Sequence, residues 1–398
     1  MADKVKKDRR LRTIWSGNSV FTPSGYGVEL RDLLFRFIND GWPVAQSAYT
    51  GLETASISLN GLKIYPRMAE QFGGDAIFHH ARHFQAQVAF SMQDAWTLNP
   101  GFLQQMRWIP YVPIDMEPIP PGVLNNLRLA YKIITFSRFG QQALLKAGFV
   151  SDLILEGTDT NIFKPMDKIA CRKEFGIPPE AFVIGQVGAN KENPPRKGWQ
   201  QALEAFKMFH DKHPEAIYFF QTNQPNPTGF PIREYANYLK IGQSIRWIDE
   251  YLGIFHAGSE VMCKLYNSFD ILSHASLSEG FGLCVIEAQA CGLPVIVNNC
   301  HSMPELVIPG ETGEICDTGF KFFTSAGGFY YFPDVNSLYD KMEALYRADR
   351  KKMAEAARKH VVENYNIDTL FKEKWVPYME NLQTELLGAA IDKKEEKK

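Results

Sequence analysis

The fold of this chain is decided by residues 276–299, which read SLSEGFGLCVIEAQACGLPVIVNN. Branched apolar residues before His274 and over Pro294–Asn298 indicate two strands. The segment between them, Gly282–Cys291, is predicted to be a helix, because a glycine and then a proline follow it. A strand–helix–strand order of this kind is typical of a parallel sheet in an α/β protein.

The same alternation continues in both directions along the 398 residues. Segment 156–180 carries prolines and no strand pattern, which indicates a domain boundary. We expect two domains, over residues 1–165 and 166–367, each Rossmann-like and facing the other across a ligand-binding cleft. The last helical segment, 368–390, contains Pro377, and we expect it to kink there and return to the first domain.

Composition excludes several classes of protein. The net charge of −2 gives no basic field for nucleic acid, and no apolar run approaches the roughly 20 residues that span a bilayer. The basic N-terminus is not followed by an apolar stretch, so it does not read as a secretory signal. Six cysteines without CxxC spacing indicate buried, reduced thiols. We expect a cytoplasmic protein, and peripheral contact with a membrane stays open.

Two carboxylates, Glu279 and Glu287, mark the first candidate site. Gly280 and Gly282 flank Phe281 before the predicted helix, and free N–H groups at a helix start suit a phosphate. Glu287 lies among apolar residues, where a carboxylate needs hydrogen bonds that the vicinal hydroxyls of a ribose would supply. The alternative is a plain turn between strand and helix, with Glu279 as a favourable charge at the helix start.

A second candidate is GQVGANKENPPRKGWQQALEAF, residues 185–206. Arg196 and Lys197 come directly before an amphipathic helix, where cations are unfavourable unless an anion lies between them and the helix start. A diphosphate would be such an anion, and Asn190 in the preceding loop could contact it. The alternative is an ordinary pair of surface charges.

Two loops of the first half are further candidates. In WSGNSVFTPSGYGVEL, residues 15–30, Gly25 and Gly27 precede a helix. A nicotinamide-dinucleotide fingerprint is a weaker interpretation, because a third glycine and the acidic residue after the next strand are missing. In IPYVPIDMEPIPP, residues 109–121, Asp115 follows a strand, and it is either a sugar-binding group or a loop carboxylate at a turn.

The Glu279–Glu287 spacing resembles the EX7E motif of retaining GT-B glycosyltransferases, in particular glycosyltransferase family 4 (glycosyl transferases group 1). HSMPELVIPGETGEI, residues 301–315, resembles the segment that follows in that family. The resemblance implies a GT-B fold, with Glu279 on the donor sugar, Glu287 on the ribose and Lys197 on the diphosphate. It implies donor contacts from the backbone of Phe281, Gly282 and Leu283 and from Gly25 and Gly27. Arg196 would replace an arginine that relatives usually carry at the position of Ala189 or Asn190. Asp115 occupies the position where many relatives carry a histidine near the sugar. The resemblance also makes residues 1–165 the acceptor-side domain and residues 166–367 the nucleotide-sugar-binding domain.

The function implied is retaining transfer of a sugar from a UDP-, GDP- or ADP-linked donor to a glycan, lipid or small-molecule acceptor. No DxD spacing occurs, so we expect no metal and no cofactor beyond the donor substrate. The charge on the leaving diphosphate would then fall to Lys197, Arg196 and helix N-termini. Three alternatives remain, namely a phosphorylase, a UDP-sugar epimerase and a non-catalytic sugar-nucleotide-binding protein.

Overall fold

The computed structural model describes residues 10–192, 194–222, 228–249, 251 and 258–388. It contains two large sheets, each with helices packed on its faces, which confirms the α/β prediction. The first sheet has eight strands in the order β3-β4-β2-β1-β5-β6-β7-β8. All its neighbours pair in parallel except β3 with β4. Its strands are β1 Thr13–Asn18, β2 Val44–Thr50, β3 Ile57–Leu59, β4 Leu62–Tyr65, β5 Val88–Ser91, β6 Trp108–Val112, β7 Ile134–Thr135 and β8 Asp152–Leu153.

The second sheet has six parallel strands in the order β11-β10-β9-β12-β13-β14. A separate antiparallel hairpin, β15–β16, follows it. Branched and aromatic side chains fill the central strands, which is why they are buried on both faces. The strands are β9 Val183–Val187, β10 Ile217–Gln221, β11 Ile245–Trp247, β12 Ile271–His274, β13 Val295–Asn298, β14 Gly313–Cys316, β15 Thr318–Phe323 and β16 Phe329–Pro333.

Helices connect these strands. Ser24, Ser137 and Asp334 accept backbone N–H groups at the starts of three of them, as capping residues do. The α-helices in the described part of the chain are Gly25–Asn39, Ala76–Phe84, Pro100–Leu103, Pro121–Leu127, Arg138–Lys146, Lys168–Glu174, Trp199–His210, Ile232–Tyr238, Ser259–Ser268, Leu283–Ala290, Val335–Arg347, Arg350–Asn364, Ile367–Leu370 and Val376–Gln383. None of the helices described is long and apolar enough to cross a membrane.

The last described segment, 367–388, packs on the first sheet. Two wider π turns, Phe371–Trp375 and Thr384–Gly388, interrupt it, and the first ends two residues before Pro377. The Trp375 side chain is fully buried, and its ring lies 5.4 Å from that of Trp15 and 5.1 Å from that of Tyr111. Residues from the C-terminal end of the chain therefore complete the core of the first sheet's domain.

The chain passes between the two halves twice, and the two passages lie side by side. Thr158 forms a parallel bridge with Asn366, and its N–H donates to Tyr365 over 2.8 Å. A Cβ on Gly157 would lie 2.9 Å from the Cα of Ile367, so only glycine lets the two passages come so close. Arg36 of the first half clamps both of them, pairing with Asp159 at 3.0 Å and Asp368 at 2.8 Å.

Candidate functional site

The loop after β12, residues 275–282, lies against the first domain. A Cβ on Gly280 would lie 2.9 Å from Pro113 Cβ, so the backbone approaches the loop after β6 more closely than a side chain would allow. The Ser278 hydroxyl donates to the backbone carbonyl of Asp115. The carboxyl edges of both sheets thus meet here, where parallel α/β sheets bind ligands.

The Glu279 carboxylate is the centre of the site. Oε2 accepts a hydrogen bond from Arg196 at 3.1 Å, and Oε1 is bound by the Lys197 ammonium and by the Ser276 hydroxyl at 2.7 Å. His274 Nε2 lies 3.2 Å from Oε1. Burial alone would raise the pKa of Glu279, but the charges of Lys197 and Arg196 outweigh it and hold the pKa well below its usual range.

The structure gives the two cations a partner that the sequence did not indicate, while the predicted diphosphate contact stays a prediction. The sequence suggested that Arg196 and Lys197 conflict with the start of their own helix until an external anion arrives. In the structure Glu279 supplies an anion from within the chain. Gly198 makes this possible, because its φ is +67° and a Cβ there would lie 2.0 Å from the carbonyl oxygen of Ala275. This close approach places Arg196 and Lys197 beside the loop that carries Glu279.

The start of the Leu283–Ala290 helix is shaped by Gly282 and Phe281. Gly282 has a φ of +121°, a conformation that L side chains rarely adopt. The Phe281 ring is buried, with Phe136 6.4 Å and Tyr365 5.9 Å away, so only its backbone can face a ligand. The Ser302 hydroxyl lies 2.9 Å from the carbonyl oxygen of Glu279 and 3.0 Å from that of Phe281, which fixes the turn.

Of the two glycines predicted to contact the donor, only Gly25 lies close to Leu283 across the cleft. A Cβ on Gly25 would lie 3.6 Å from Leu283 Cδ1, so Gly25 faces the donor-side helix directly. Gly27 instead packs inward, where a Cβ would lie 2.2 Å from the carbonyl oxygen of Thr22. The reason for glycine at residue 27 is therefore the tight turn, and a donor contact by either glycine stays a prediction.

Glu287 lies within the Leu283–Ala290 helix, which follows the loop that carries Glu279. It is half-buried, and Oε2 accepts a hydrogen bond from the Tyr266 hydroxyl at 2.7 Å. Burial raises the pKa of Glu287 to about 7, although the Tyr266 hydrogen bond opposes this. Among the hydrogen bonds of the described residues, only Oε2 of Glu287 is engaged, and the contact of Glu287 with ribose hydroxyls stays a prediction.

Asp115 stands on the opposite wall of the cleft, beside Asp94. The two follow β6 and β5, which are neighbours in the sheet, so their strand ends share one edge. Burial, with the negative charge of Asp94, raises the pKa of Asp115 to about 7 even though Arg196 opposes it. The sequence interpretation missed Asp94, whose only signal was its place directly after a strand.

Asn190 has a different setting from the other predicted donor contacts. It is fully buried, its Nδ2 donates to the carbonyl oxygen of Phe230 at 2.8 Å, and its Oδ1 accepts from the N–H of Phe230 at 2.8 Å. These bonds tie the loop before Arg196 to the segment before the Ile232–Tyr238 helix. A contact between Asn190 and the donor stays a prediction.

Two further buried carboxylates, Glu29 and Glu156, were not predicted as part of a site. Glu29 is 1% exposed, and neither of its carboxylate oxygens has a hydrogen-bond partner in the part of the chain that the structure describes. Burial and the negative charge of Glu156 raise the pKa of Glu29 well above its usual value. Burial, with the charges of Glu279 and Glu287, raises the pKa of Glu156 to about 8.

The cysteines are free thiols, and the described residues offer no candidate metal site. All six cysteines are unpaired, and all are buried except the half-buried Cys284. Across the described residues, no group of three or more His, Cys, Asp or Glu side chains is placed to hold a metal ion. Metal independence stays a prediction.

Comparison with known proteins supports the resemblance. Residues 167–321 match the family model of glycosyl transferases group 1. D-inositol 3-phosphate glycosyltransferase of Corynebacterium glutamicum is 31% identical over 172 residues, which are 42% of this chain and 39% of that protein. The enzyme of that name from Rhodococcus jostii is 29% identical over 171 residues, 42% of this chain and 36% of that protein. The chain thus spans about two-fifths of the length of these curated relatives.

Solved structures show the same overall fold. Sucrose-phosphate synthase from Thermosynechococcus elongatus superposes with a TM-score of 0.75 at 16% identity, over 96% of this chain and 100% of that one. Anabaena HepE, solved in complex with UDP and glucose, gives a TM-score of 0.71 at 14% identity, over 93% and 100%. The chain therefore has the GT-B fold, and its residues 167–321 match the glycosyl transferases group 1 family, which the Glu279–Glu287 spacing resembles.

Proposed function

We propose that this protein is a retaining, metal-independent glycosyltransferase that uses a nucleotide sugar as donor. In the reaction, the bond between the anomeric carbon and the β-phosphate oxygen breaks, and a bond from an acceptor hydroxyl to the same carbon forms. The acceptor's proton goes to the leaving diphosphate. Transfer on the same face of the sugar needs no carboxylate nucleophile, which agrees with a Glu279 whose carboxylate is already bound by two cations.

The observation that carries the proposal is the binding of Arg196 and Lys197 to one carboxylate at the cleft. Glu279 keeps these cations buried and oriented before a ligand arrives. Charge develops on the diphosphate as the sugar leaves, and preorganised cations stabilise such charge without reorganising during the reaction. Removal of one such group costs about 10²–10³ in rate in other enzymes.

The remaining groups would hold the donor at its two ends. Glu279 would accept hydrogen bonds from the sugar hydroxyls, and the N–H groups around Gly282 would meet the diphosphate at the start of the helix. Glu287 has a carboxylate oxygen available for the ribose beside its bond to Tyr266. A UDP-linked hexose is the first donor to test, because HepE was solved with UDP and glucose. Unpaired cysteines favour action in the cytoplasm.

The test has two stages. Thermal shift and calorimetry with UDP, GDP and ADP and their hexose conjugates would find the donor, and release of nucleoside diphosphate with a panel of acceptors would then measure transfer. NMR of the product gives the anomeric configuration, and parallel reactions with and without EDTA test metal independence. We expect release that depends on an acceptor, retains configuration and survives EDTA.

Each alternative has a distinct result. Turnover that requires inorganic phosphate would indicate a phosphorylase, and conversion of the sugar nucleotide to its epimer with no acceptor present would indicate an epimerase. Donor binding without release across the whole panel would indicate a non-catalytic binder. Inverted product or loss of activity in EDTA would contradict the corresponding part of the proposal.

A further inference from the structure

The β15–β16 hairpin spans the cleft from the second domain to the first. At its base, the Tyr331 N–H donates to the carbonyl oxygen of Leu277 at 3.0 Å, and Asn298 donates to Tyr331 at 2.7 Å. At its tip, a Cβ on Gly328 would lie 2.5 Å from Met116 Cβ. The tip is therefore seated directly on the loop that carries Asp115. The family match ends at residue 321, within this hairpin.

A cavity of about 280 Å³ lies under the hairpin. Phe322, Tyr330, Thr324 and Ser325 line it from the hairpin, Met116 from the first domain, and Glu192 from the loop before Arg196. Glu192 lies 3.5 Å from the guanidinium of Arg196, so the cavity adjoins the catalytic cations. Its volume is just below the roughly 300–1,000 Å³ of small-molecule sites, which suits one ring-sized group.

The chemistry of the lining favours a particular class of ligand. Phe322 and Tyr330 are opposite each other in the hairpin register, and Phe322 is 45% exposed. Aromatic faces of this kind pack against the C–H face of a sugar ring. Glu192, Thr324 and Ser325 offer acceptors and hydroxyls for sugar hydroxyl groups. Among the described residues that line the cavity, Glu192 is the only charged one, so the lining itself offers no cation to a phosphate, and the adjoining Arg196 is paired with Glu192.

Tyr330 links this cavity to the reacting groups. Burial raises the pKa of Tyr330 to about 12, and the charge of Glu192 adds to the effect although Arg196 opposes it. The phenol therefore stays protonated and can donate to a ligand oxygen at neutral pH.

We propose that the β15–β16 hairpin forms the acceptor subsite, and that its cavity takes an uncharged saccharide whose ring packs on Phe322. This rests on the proposed transferase function and specifies its acceptor. The name of the D-inositol 3-phosphate glycosyltransferases contains a phosphorylated compound, so a phosphorylated polyol is the ligand to compare with a neutral saccharide. A membrane surface is the rival ligand, since Phe320 and Phe323 are 58% and 55% exposed.

The experiment measures three ligands on the full-length protein. Saturation-transfer NMR would follow a panel of neutral methyl hexosides, and myo-inositol 1-phosphate would be the phosphorylated probe. Sedimentation with phosphatidylglycerol vesicles would measure adsorption. UDP affinity, by calorimetry, is recorded separately, and the saccharide titrations are run with and without UDP. We expect a neutral hexoside to bind and the phosphorylated polyol to bind more weakly.

The variants are Phe322→Ala, Glu192→Gln and the matched control Phe320→Ala, which lies on the same strand outside the cavity. We expect hexoside binding to weaken roughly tenfold in Phe322→Ala, to weaken in Glu192→Gln and to persist in Phe320→Ala. UDP affinity should not change in Phe322→Ala. Tighter binding of the phosphorylated polyol, an unchanged Phe322→Ala, or vesicle adsorption that Phe322→Ala and Phe320→Ala abolish alike would overturn the subsite. Failure of UDP and every sugar nucleotide to bind would instead overturn the proposed function.

Discussion

The guanidinium of Arg196 donates to Oε2 of Glu279 at 3.1 Å, while Lys197 binds the other carboxylate oxygen. The carboxylate thus holds two cations at the cleft, and each role can be separated by substitution. In Glu279→Gln the cations lose their internal anion, so we expect UDP to bind at least as tightly as in the wild type. Turnover of the sugar nucleotide should fall by about 10²–10³. Calorimetry with UDP and nucleotide-release kinetics measure the two effects.

Lys197→Ala should have the opposite effect on UDP. The ammonium is lost, so we expect weaker UDP binding together with a similar loss of turnover, about 10²–10³. Lys207→Ala is the matched control, since Lys207 lies on the helix that follows Lys197 and pairs only with the exposed Asp211 in the contacts described. Full activity in Lys197→Ala would rule out the role of this cation.

The pKa of Glu287, raised to about 7, predicts a pH dependence of donor binding. The carboxyl is protonated below pH 7 and then loses an acceptor for the ribose hydroxyls. We expect UDP affinity to rise by up to about tenfold between pH 6 and pH 8. Glu287→Gln has no ionisation at this position, so subtracting its profile removes the ionisation of UDP itself. Identical profiles in the two proteins would show that Glu287 does not contact the donor.

The buried carboxylates Glu29 and Glu156 predict a pH dependence of stability. The usual pKa of Glu156 is 4.5, and burial raises it to about 8. A carboxyl with a raised pKa favours the folded state while it is protonated, and this contribution is lost as the pH rises from about 4.5 through 8. Glu156→Gln cannot ionise, so its Tm should exceed that of the wild type by roughly 2–8 °C at pH 8.

At pH 5 the difference between Glu156→Gln and the wild type should nearly vanish. Glu174→Gln provides a control, because Glu174 is half-exposed and pairs with Lys264 on the surface. Differential scanning calorimetry at both pH values makes the comparison. A Tm difference of the same size at pH 5 and pH 8 would mean that ionisation of Glu156 does not destabilise the folded protein.

Much of the second domain could be predicted from the sequence, because the residues that indicate its site lie close together in the chain. Glu279, the glycines around Phe281 and the helix that holds Glu287 lie within one short segment, and spacing alone brought them together. Arg196 and Lys197 were predicted to bind a diphosphate, which stays a prediction, while their contact with Glu279 was not predicted. The partner could not be read from sequence, since it depends on the close approach of Gly198 to Ala275.

Other features were missed although a signal was present. Asn60 and Gly61 have φ values of 46° and 86°, and an Asn-Gly turn between apolar residues is a strong indicator of the β3–β4 hairpin. The aromatic runs on either side of residues 324–328 likewise indicate the β15–β16 hairpin. Glu29 had no distinctive local pattern, and Asp94 had only its place shortly after β5. Their neighbours come from distant parts of the chain, so their burial and charge appear only after folding.

Trp375 allows the return of the last helical segment to be tested. Its ring is fully buried beside Trp15 and Tyr111, and its Nε1 has no hydrogen-bond partner among the described residues. Trp375→Ala should lower the free energy of unfolding by about 3–5 kcal/mol. Trp375→Phe should cost much less, because it keeps most of the ring and removes an unpaired N–H. Urea unfolding of the two variants and the wild type measures the difference, and equal losses would contradict this account.

The bridge between Thr158 and Asn366 has a mechanical consequence. The two covalent passages lie side by side, and Arg36 pairs with both of them. They can therefore act as a single hinge axis, because rotation about it keeps the Thr158–Asn366 bridge, whereas sliding or twisting of the halves would break it. Cleavage of the chain in either passage would leave the halves connected through the other. The hairpin tip, where Gly328 packs against Met116, is a separate contact between the halves, so a rotation about this line that widens the cleft would have to break it.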